Sequence, residues 1–431
     1  MSENSNSKIS LLAAISIGIG GMIGAGIFSI LGVVAEAAGS AMWLSFLLGG
    51  IIALFSTYSY AKLGARFPTA GGAVEFLVQG WGKGTMSGGI NLFMWIGYII
   101  SIALYAQGFS AYCLTFFTTT PAPLLSKYIA AGIVLFFTVI NMLGAGSVGK
   151  AEVFIVVVKV SILVLFAAVG LCFIHPENLA ASNWNGVEQI FFGAGVLFIG
   201  YEGFGLIANT AADMDNPQKN LPKALYLSVL IVIVIYLAVS ITVIGNLPIH
   251  KIYASGDFAL AEAAKPFLGE LGFKLIAIAA LFSTASAINA TLFGAANVCY
   301  MIARDGELPK EFARTTWHGA TEGLMITTCL VIVFILFFDL AGVTMMGSGA
   351  FLLIYAAVNA GHLKILSQTG ANKSLVITSL VLCLTLFCIL EIYTFKHSPT
   401  AVYTMIALLV GSFIVEGIKC NIVKAGSDSQ G

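Results

Sequence analysis

Two ionisable side chains stand in stretches that are otherwise apolar. Lys159 lies in Val156-Val-Val-Lys-Val-Ser-Ile-Leu-Val-Leu165, and Glu202 lies in Phe198-Ile-Gly-Tyr-Glu-Gly-Phe-Gly205. Placing a lysine in hydrocarbon costs roughly 2.5–3.5 kcal/mol on insertion scales, so such a residue is a functional candidate by default. An ammonium there can act as a fixed positive charge or exchange a proton. The bland alternative for Lys159 is a side chain that snorkels to the interface. A buried carboxylate can gate a proton or balance a cation, or it can simply hydrogen-bond its neighbours.

Glycine marks the second kind of chemistry. Gly18-Ile-Gly20-Gly21-Met-Ile-Gly24-Ala-Gly26-Ile-Phe28 and the Gly200, Gly203, Gly205 set are dense enough to interrupt a helix. A dinucleotide fingerprint is a weak reading, because no strand precedes the first cluster and it lies in an apolar span. Close packing of small residues is one reading. The other is local unwinding, which frees backbone groups that must then face protein or a hydrated cavity. Free N–H groups at a half-helix start suit a carboxylate, and free carbonyls suit an ammonium. On that reading Ile23, Gly24, Ala25 and Gly26 hold a carboxylate. Phe198 and Ile199 offer carbonyls, and Tyr201, Glu202 and Phe204 complete the wall.

Such sites need long apolar elements to carry them. Of 431 residues, 59% are hydrophobic and 9% charged, too little charge to cover a soluble domain of this size. About 20 apolar residues cross a membrane, and the chain supplies twelve such runs. They fall near 11–35, 40–62, 87–117, 128–145, 152–174, 188–212, 224–246, 272–303, 323–339, 346–367, 374–393 and 399–419, here numbered helices 1 to 12. Turn and charge signals separate them, as at Arg66-Phe67-Pro68, Asp215-Asn216-Pro217 and Arg304-Asp305-Gly306. A rise of 1.5 Å per residue puts Gly24 about 20 Å into helix 1 and Lys159 about 10 Å into helix 5. Two glycine-interrupted segments at corresponding places in two halves point to a transporter binding site. The chain is expected to be an all-α polytopic membrane protein.

Fourteen of the 20 basic residues fall on the side of the N-terminus, five on the other, and Lys159 lies within a helix. The positive-inside rule then places both termini in the cytoplasm. The expected organisation is an N-terminal tail (1–10), a transporter core of helices 1 to 10 (11–368), helices 11 and 12 (369–420) and a C-terminal tail (421–431). The apolar run from Leu11 is too long for a cleavable signal and is expected to remain as helix 1. The connection from Ile249 to Leu271 carries a stretch from Asp257 that suits a short surface helix, either a structured loop or a lid.

Zero net charge argues against a nucleic-acid partner. The five histidines lie at helix ends or in loops, and no HExxH box or Cys/His spacing occurs, so neither an enzyme nor a metal or cofactor is expected. No filter-like loop suggests a channel, and no sizeable output domain suggests a sensor.

Four motifs carry a family resemblance. They are the helix 1 glycine stretch and Tyr60-Ala-Lys-Leu-Gly-Ala-Arg-Phe-Pro-Thr-Ala-Gly-Gly72. They continue with Ile207-Ala-Asn-Thr-Ala-Ala-Asp-Met-Asp-Asn-Pro217, and Ser283-Thr-Ala-Ser-Ala-Ile-Asn-Ala-Thr-Leu-Phe293 with Ala303-Arg-Asp-Gly-Glu-Leu-Pro309. In this order, over about residues 10–420, the chain resembles the amino acid–polyamine–organocation (APC) superfamily, most nearly its bacterial YbaT-type permeases. The resemblance implies twelve transmembrane helices in a five-plus-five inverted repeat (LeuT-like), with helices 1 and 6 discontinuous around the substrate. It also implies that Lys159 stands where sodium-coupled relatives bind sodium, with carbonyls around Gly20 and Gly21 and hydroxyls of Ser283 or Ser286 as partners. The stretch ending in Glu202 is similar to that of arginine–agmatine exchangers. Val196 and Thr291 replace the tryptophans of those exchangers, which favours a small or neutral substrate. The expected function is proton-coupled, sodium-independent amino-acid symport in the cell membrane (the inner membrane of a Gram-negative cell), with amino-acid/amine exchange as the alternative.

Overall fold

A computed structural model describes residues 8–69, 71–117, 122–142, 148–304 and 322–428. Among these residues every regular element is a helix, which satisfies backbone groups within each segment, as hydrocarbon requires. Among the described residues eleven helices are long and apolar enough to cross a membrane. The segment expected as helix 9 is the shorter apolar helix Glu322–Phe337.

Helix 1 comes in three pieces, Leu11–Met22, Ala25–Phe28 and Ile30–Ala38. Helix 6 begins as Val187–Val196, tightens to a 3-10 turn over Leu197–Tyr201 and resumes as Phe204–Ala208. The remainder run without such interruption except helix 8, where Gly269 leaves the helical conformation (φ +62°) and sets a short first turn apart from the main helix. They are helix 2 (Met42–Arg66), helix 3 (Thr85–Leu114), helix 4 (Pro123–Met142) and helix 5 (Val148–Gly170). Helix 7 (Pro217–Asn246), helix 8 (Lys265–Arg304), helix 10 (Leu340–Lys364), helix 11 (Lys373–His397) and helix 12 (Pro399–Asp428) follow.

Burial sorts these helices. The apolar windows of helices 3 and 6 are 94% buried, those of helices 11 and 12 only 28%. Helix 6 and its partners therefore form the centre, while helices 11 and 12 turn most of their surface outward. Polar pairs join the helices around that centre. Asn141 of helix 4 donates to Asn289 of helix 8 (2.8 Å), and Thr138 meets Thr328 of helix 9 (2.8 Å).

Several boundaries differ from the sequence expectation. A short helix, Ala73–Trp81, occupies what read as loop after helix 2. The last helix runs on to Asp428, through most of the expected C-terminal tail, because helical backbone continues where the apolar pattern has ended. At the other end Ile9 pairs with the loop after helix 6, its N–H donating to the Asp213 carbonyl (2.8 Å). The Asp305-Gly306 break, the motif residues from Asp305 to Pro309 and His318 lie outside the described residues.

Candidate functional site

The two interrupted helices touch through glycine. A Cβ on Gly203 would lie 2.4 Å from the Gly21 carbonyl carbon, and one on Gly26 would lie 2.9 Å from the Gly200 Cα. Gly21 faces Gly203 and Gly26 faces Gly200, so the broken segments cross antiparallel, backbone to backbone. Any side chain at Gly203 would push against main chain, which cannot swing aside.

Hydroxyls from the surrounding helices take up the carbonyls that the breaks release. Tyr236 of helix 7 sets its Oη 2.5 Å from the Met22 carbonyl and 3.1 Å from the Gly200 carbonyl, spanning both breaks. Ser283 of helix 8 donates to the Ile23 carbonyl. Ser348 of helix 10 donates to the Val196 carbonyl (2.6 Å) and accepts the Ile199 N–H (3.0 Å). These hydroxyls meet part of the unwound backbone's hydrogen-bonding need inside protein, as the low-dielectric interior demands.

Lys159 is 1% exposed, and its Nζ donates to the Gly20 carbonyl at 2.9 Å. The side chain is enclosed by protein rather than laid along the outer surface of the bundle. Ser286 is buried on the same helix as Ser283. Glu202 is likewise 1% exposed. Its Oε1 accepts from the Tyr105 hydroxyl of helix 3 (3.1 Å), and its main-chain oxygen accepts from Tyr355 of helix 10 (2.9 Å). Its Oε2 is buried with no hydrogen-bond partner. One carboxylate oxygen therefore makes no hydrogen bond to protein.

The aromatic residues divide. Phe204 stacks on Tyr355 with centroids 5.0 Å apart, and Phe198 meets the same ring edge-on at 5.8 Å. Tyr201 instead turns to helix 2 and donates to the Phe46 carbonyl (2.9 Å). Ile23, Phe198, Ile199, Tyr201 and Phe204 are all buried, so the centre is packed shut. Ile23 spends its own N–H on the Ile19 carbonyl (2.8 Å).

Over the end of this centre away from the N-terminus lies a hairpin of short helices, Ile249–Ser255, Gly256–Phe258 and Ala259–Glu262. It bears on the outer piece of helix 1, where a Cβ on Gly32 would fall 2.2 Å from the Gly256 carbonyl oxygen. Gly256 turns the chain there with φ +48°, a conformation that costs glycine little. The Asp257 carboxyl is pushed up to about 6, by burial first and then by the Glu36 and Asp339 carboxylates.

This arrangement has relatives over its full length. A family model described as amino acid permease matches residues 9–415. An uncharacterized protein of Methanocaldococcus jannaschii is 43% identical over 98% of this chain and 97% of its own. The inner membrane transport protein YbaT of Escherichia coli is 31% identical over 98% and 97%. The chain belongs to the amino acid permease family. A further similar protein, the branched-chain amino acid permease BcaP of Lactococcus lactis, is 26% identical over 83% of the permease and 82% of its own length. The permease is a multi-pass membrane transporter rather than an enzyme.

Several of the permease's central groups escaped the sequence reading. Tyr105, Tyr236, Ser348 and Tyr355 all bond the broken segments, yet hydroxyls in apolar helices are common and carry no signal of their own. Two carboxylates in outer helices were also missed. Glu391 lies against Gly349 with its Oε2 buried and unpartnered, and Glu416 pairs with Lys419 at 3.3 Å. His362, at the end of helix 10 as expected, is fully buried between Ser59 (3.0 Å) and Thr369 (2.9 Å). Among the described residues no group of His, Cys, Asp or Glu is placed to hold a metal ion.

Proposed function

We propose that the permease carries a neutral amino acid together with a proton, without sodium, by alternating access around the crossing of helices 1 and 6. The observation that carries this reading is the Lys159 ammonium on the Gly20 carbonyl, two residues before the break in helix 1. A cation bound there by main-chain oxygen does what a metal cation would do, and it can exchange its proton. Helices 1 to 10 then form the five-plus-five inverted repeat, with helix 9 as the twelfth span and both termini cytoplasmic.

In this reading Gly24, Ala25 and Gly26 supply the N–H groups for the substrate carboxylate, since Ile23 has spent its own. Carbonyls near Phe198 and Ile199 take the α-ammonium. The family and BcaP support an amino-acid substrate. A second reading, exchange of amino acids and amines, is favoured by one observation only. The open Oε2 of Glu202 suits a second positive charge on a dibasic substrate.

Reconstitution in liposomes with an imposed pH gradient tests the coupling. Lys159→Ala is expected to abolish uphill accumulation while the protein still folds and exchanges substrate down its gradient. Accumulation equal to wild type would leave Lys159 a packing residue.

A further inference from the structure

A shallow groove of about 300 Å³ runs along the outside of the bundle, lined by Ile51, Leu54, Phe55 and Tyr58 of helix 2, Tyr226 of helix 7 and Leu375 of helix 11. It is apolar along most of its length and carries polar groups at one end. There Tyr58 accepts the Asn372 N–H at 2.7 Å, which pins the start of helix 11 to helix 2. Lys62, one turn beyond Tyr58, sets its ammonium 6.0 Å from that ring and donates to the Gly370 carbonyl (3.4 Å). Lys223 is exposed one turn before Tyr226, on the same face of helix 7. Lys373 opens helix 11 beside Asn372, where the helix also presents its positive end.

Three helices therefore each bring a lysine to the same mouth. Residues 58–66, 217–226 and 366–375 contain Lys62, Arg66, Lys219, Lys223 and Lys373 and no Asp or Glu. Nothing on these stretches neutralises the charge. An apolar trough that ends in a one-signed rim at the membrane surface is complementary to a molecule with a hydrocarbon tail and an anionic head. A zwitterionic lipid would fill the trough but leave the rim uncompensated.

We propose that this groove binds an anionic phospholipid, its acyl chain along Ile51, Leu54 and Phe55 and its headgroup on Lys62, Lys223 and Lys373. The lipid would bridge helix 11 to helices 2 and 7 from the bilayer side. This site is separate from the substrate site, and its fate does not depend on the coupling ion.

The test uses the full chain in mild detergent with phosphatidylglycerol or phosphatidylcholine of matched acyl chains. Native mass spectrometry should show phosphatidylglycerol retained in preference, and the melting temperature should rise with it but not with phosphatidylcholine or inorganic phosphate. The triple variant Lys62→Gln, Lys223→Gln, Lys373→Gln should lower that preference about tenfold or more. Neutralising Lys251, Lys274 and Lys396 at the other end should leave it unchanged. Ile51→Trp, which fills the trough, should reduce retention of both lipids. Equal retention and equal thermal shift for the two lipids on wild-type protein would overturn the proposal without any variant. So would a triple variant that is monodisperse and keeps the preference.

Discussion

Glu202 makes its contacts to two different helices, through Oε1 to Tyr105 and through its main-chain oxygen to Tyr355. Such a residue holds the middle of helix 6 in place as much as it awaits a ligand, which favours a gate over a counter-charge. Glu202→Gln preserves shape and keeps an oxygen for Tyr105. It is expected to leave neutral amino-acid affinity within a few fold of wild type and to flatten the pH profile of transport. Equilibrium binding of a neutral and a dibasic ligand to both proteins decides the matter. Selective loss of the dibasic ligand, with no neutral substrate found, would favour the counter-charge. Lys159 and Glu202 were legible in sequence because charge in an apolar run is rare and costly. A carbonyl around Gly20 was implied for Lys159 by the family resemblance, whereas Tyr105 and Tyr355, the partners of Glu202, were not legible, nor were the hydroxyls on the broken backbone. Tyr236 bonds Met22 across 214 positions and Ser348 bonds Val196 across 152, separations at which no local pattern speaks.

Helix 1 and helix 6 owe their crossing to glycine at both contact points, and the contacts rank the glycines. Gly203→Ala would set a methyl 2.4 Å from backbone, whereas Gly205→Ala would meet nothing closer than 3.5 Å. Overpacking of the first kind costs about 1–3 kcal/mol. Gly203→Ala should therefore lower both the melting temperature and uptake, with Gly205→Ala close to wild type. Equal behaviour of the two variants would mean that the crossing is not glycine-limited. The hairpin over helix 1 makes a different prediction. With the Asp257 carboxyl raised from 3.8 to about 6, the folded hairpin holds its proton where the unfolded one has lost it. Packing is then strongest below about pH 4, weakens as pH rises toward 6 and is level above that. Hydrogen exchange of residues 249–262 should be slower at pH 5 than at pH 7.5 after correction for intrinsic rates. Asp257→Asn should remove the difference, and an unchanged difference would assign it elsewhere. The sequence did suggest a short helix here, but its seat on helix 1 rests on the close Gly32–Gly256 approach, which composition does not encode.

At the scale of the molecule, apolar runs and turn signals located eleven long helices and one shorter one, because hydrocarbon permits so few alternatives. What failed were elements without that constraint. Ala73–Trp81 is too short to register as a span, and residues 420–428 are helical without being apolar. If the proposed role of Lys159 holds, its ammonium beside Gly20 would repel a second cation at close range, so replacing sodium with choline at constant pH should leave initial uptake unchanged. A saturable sodium requirement would overturn that assignment.

Tyr236 stands within reach of two carbonyls but owns one proton. While helix 1 is in place that proton can rest on Met22, and if helix 1 swings away it can turn to Gly200 without leaving the hydroxyl. In an alternating-access cycle the hydroxyl would then keep an acceptor, which would spare the movement the penalty of about 1–3 kcal/mol for an unmade buried bond. Tyr236→Phe would remove the one hydroxyl that the Met22 and Gly200 carbonyls share.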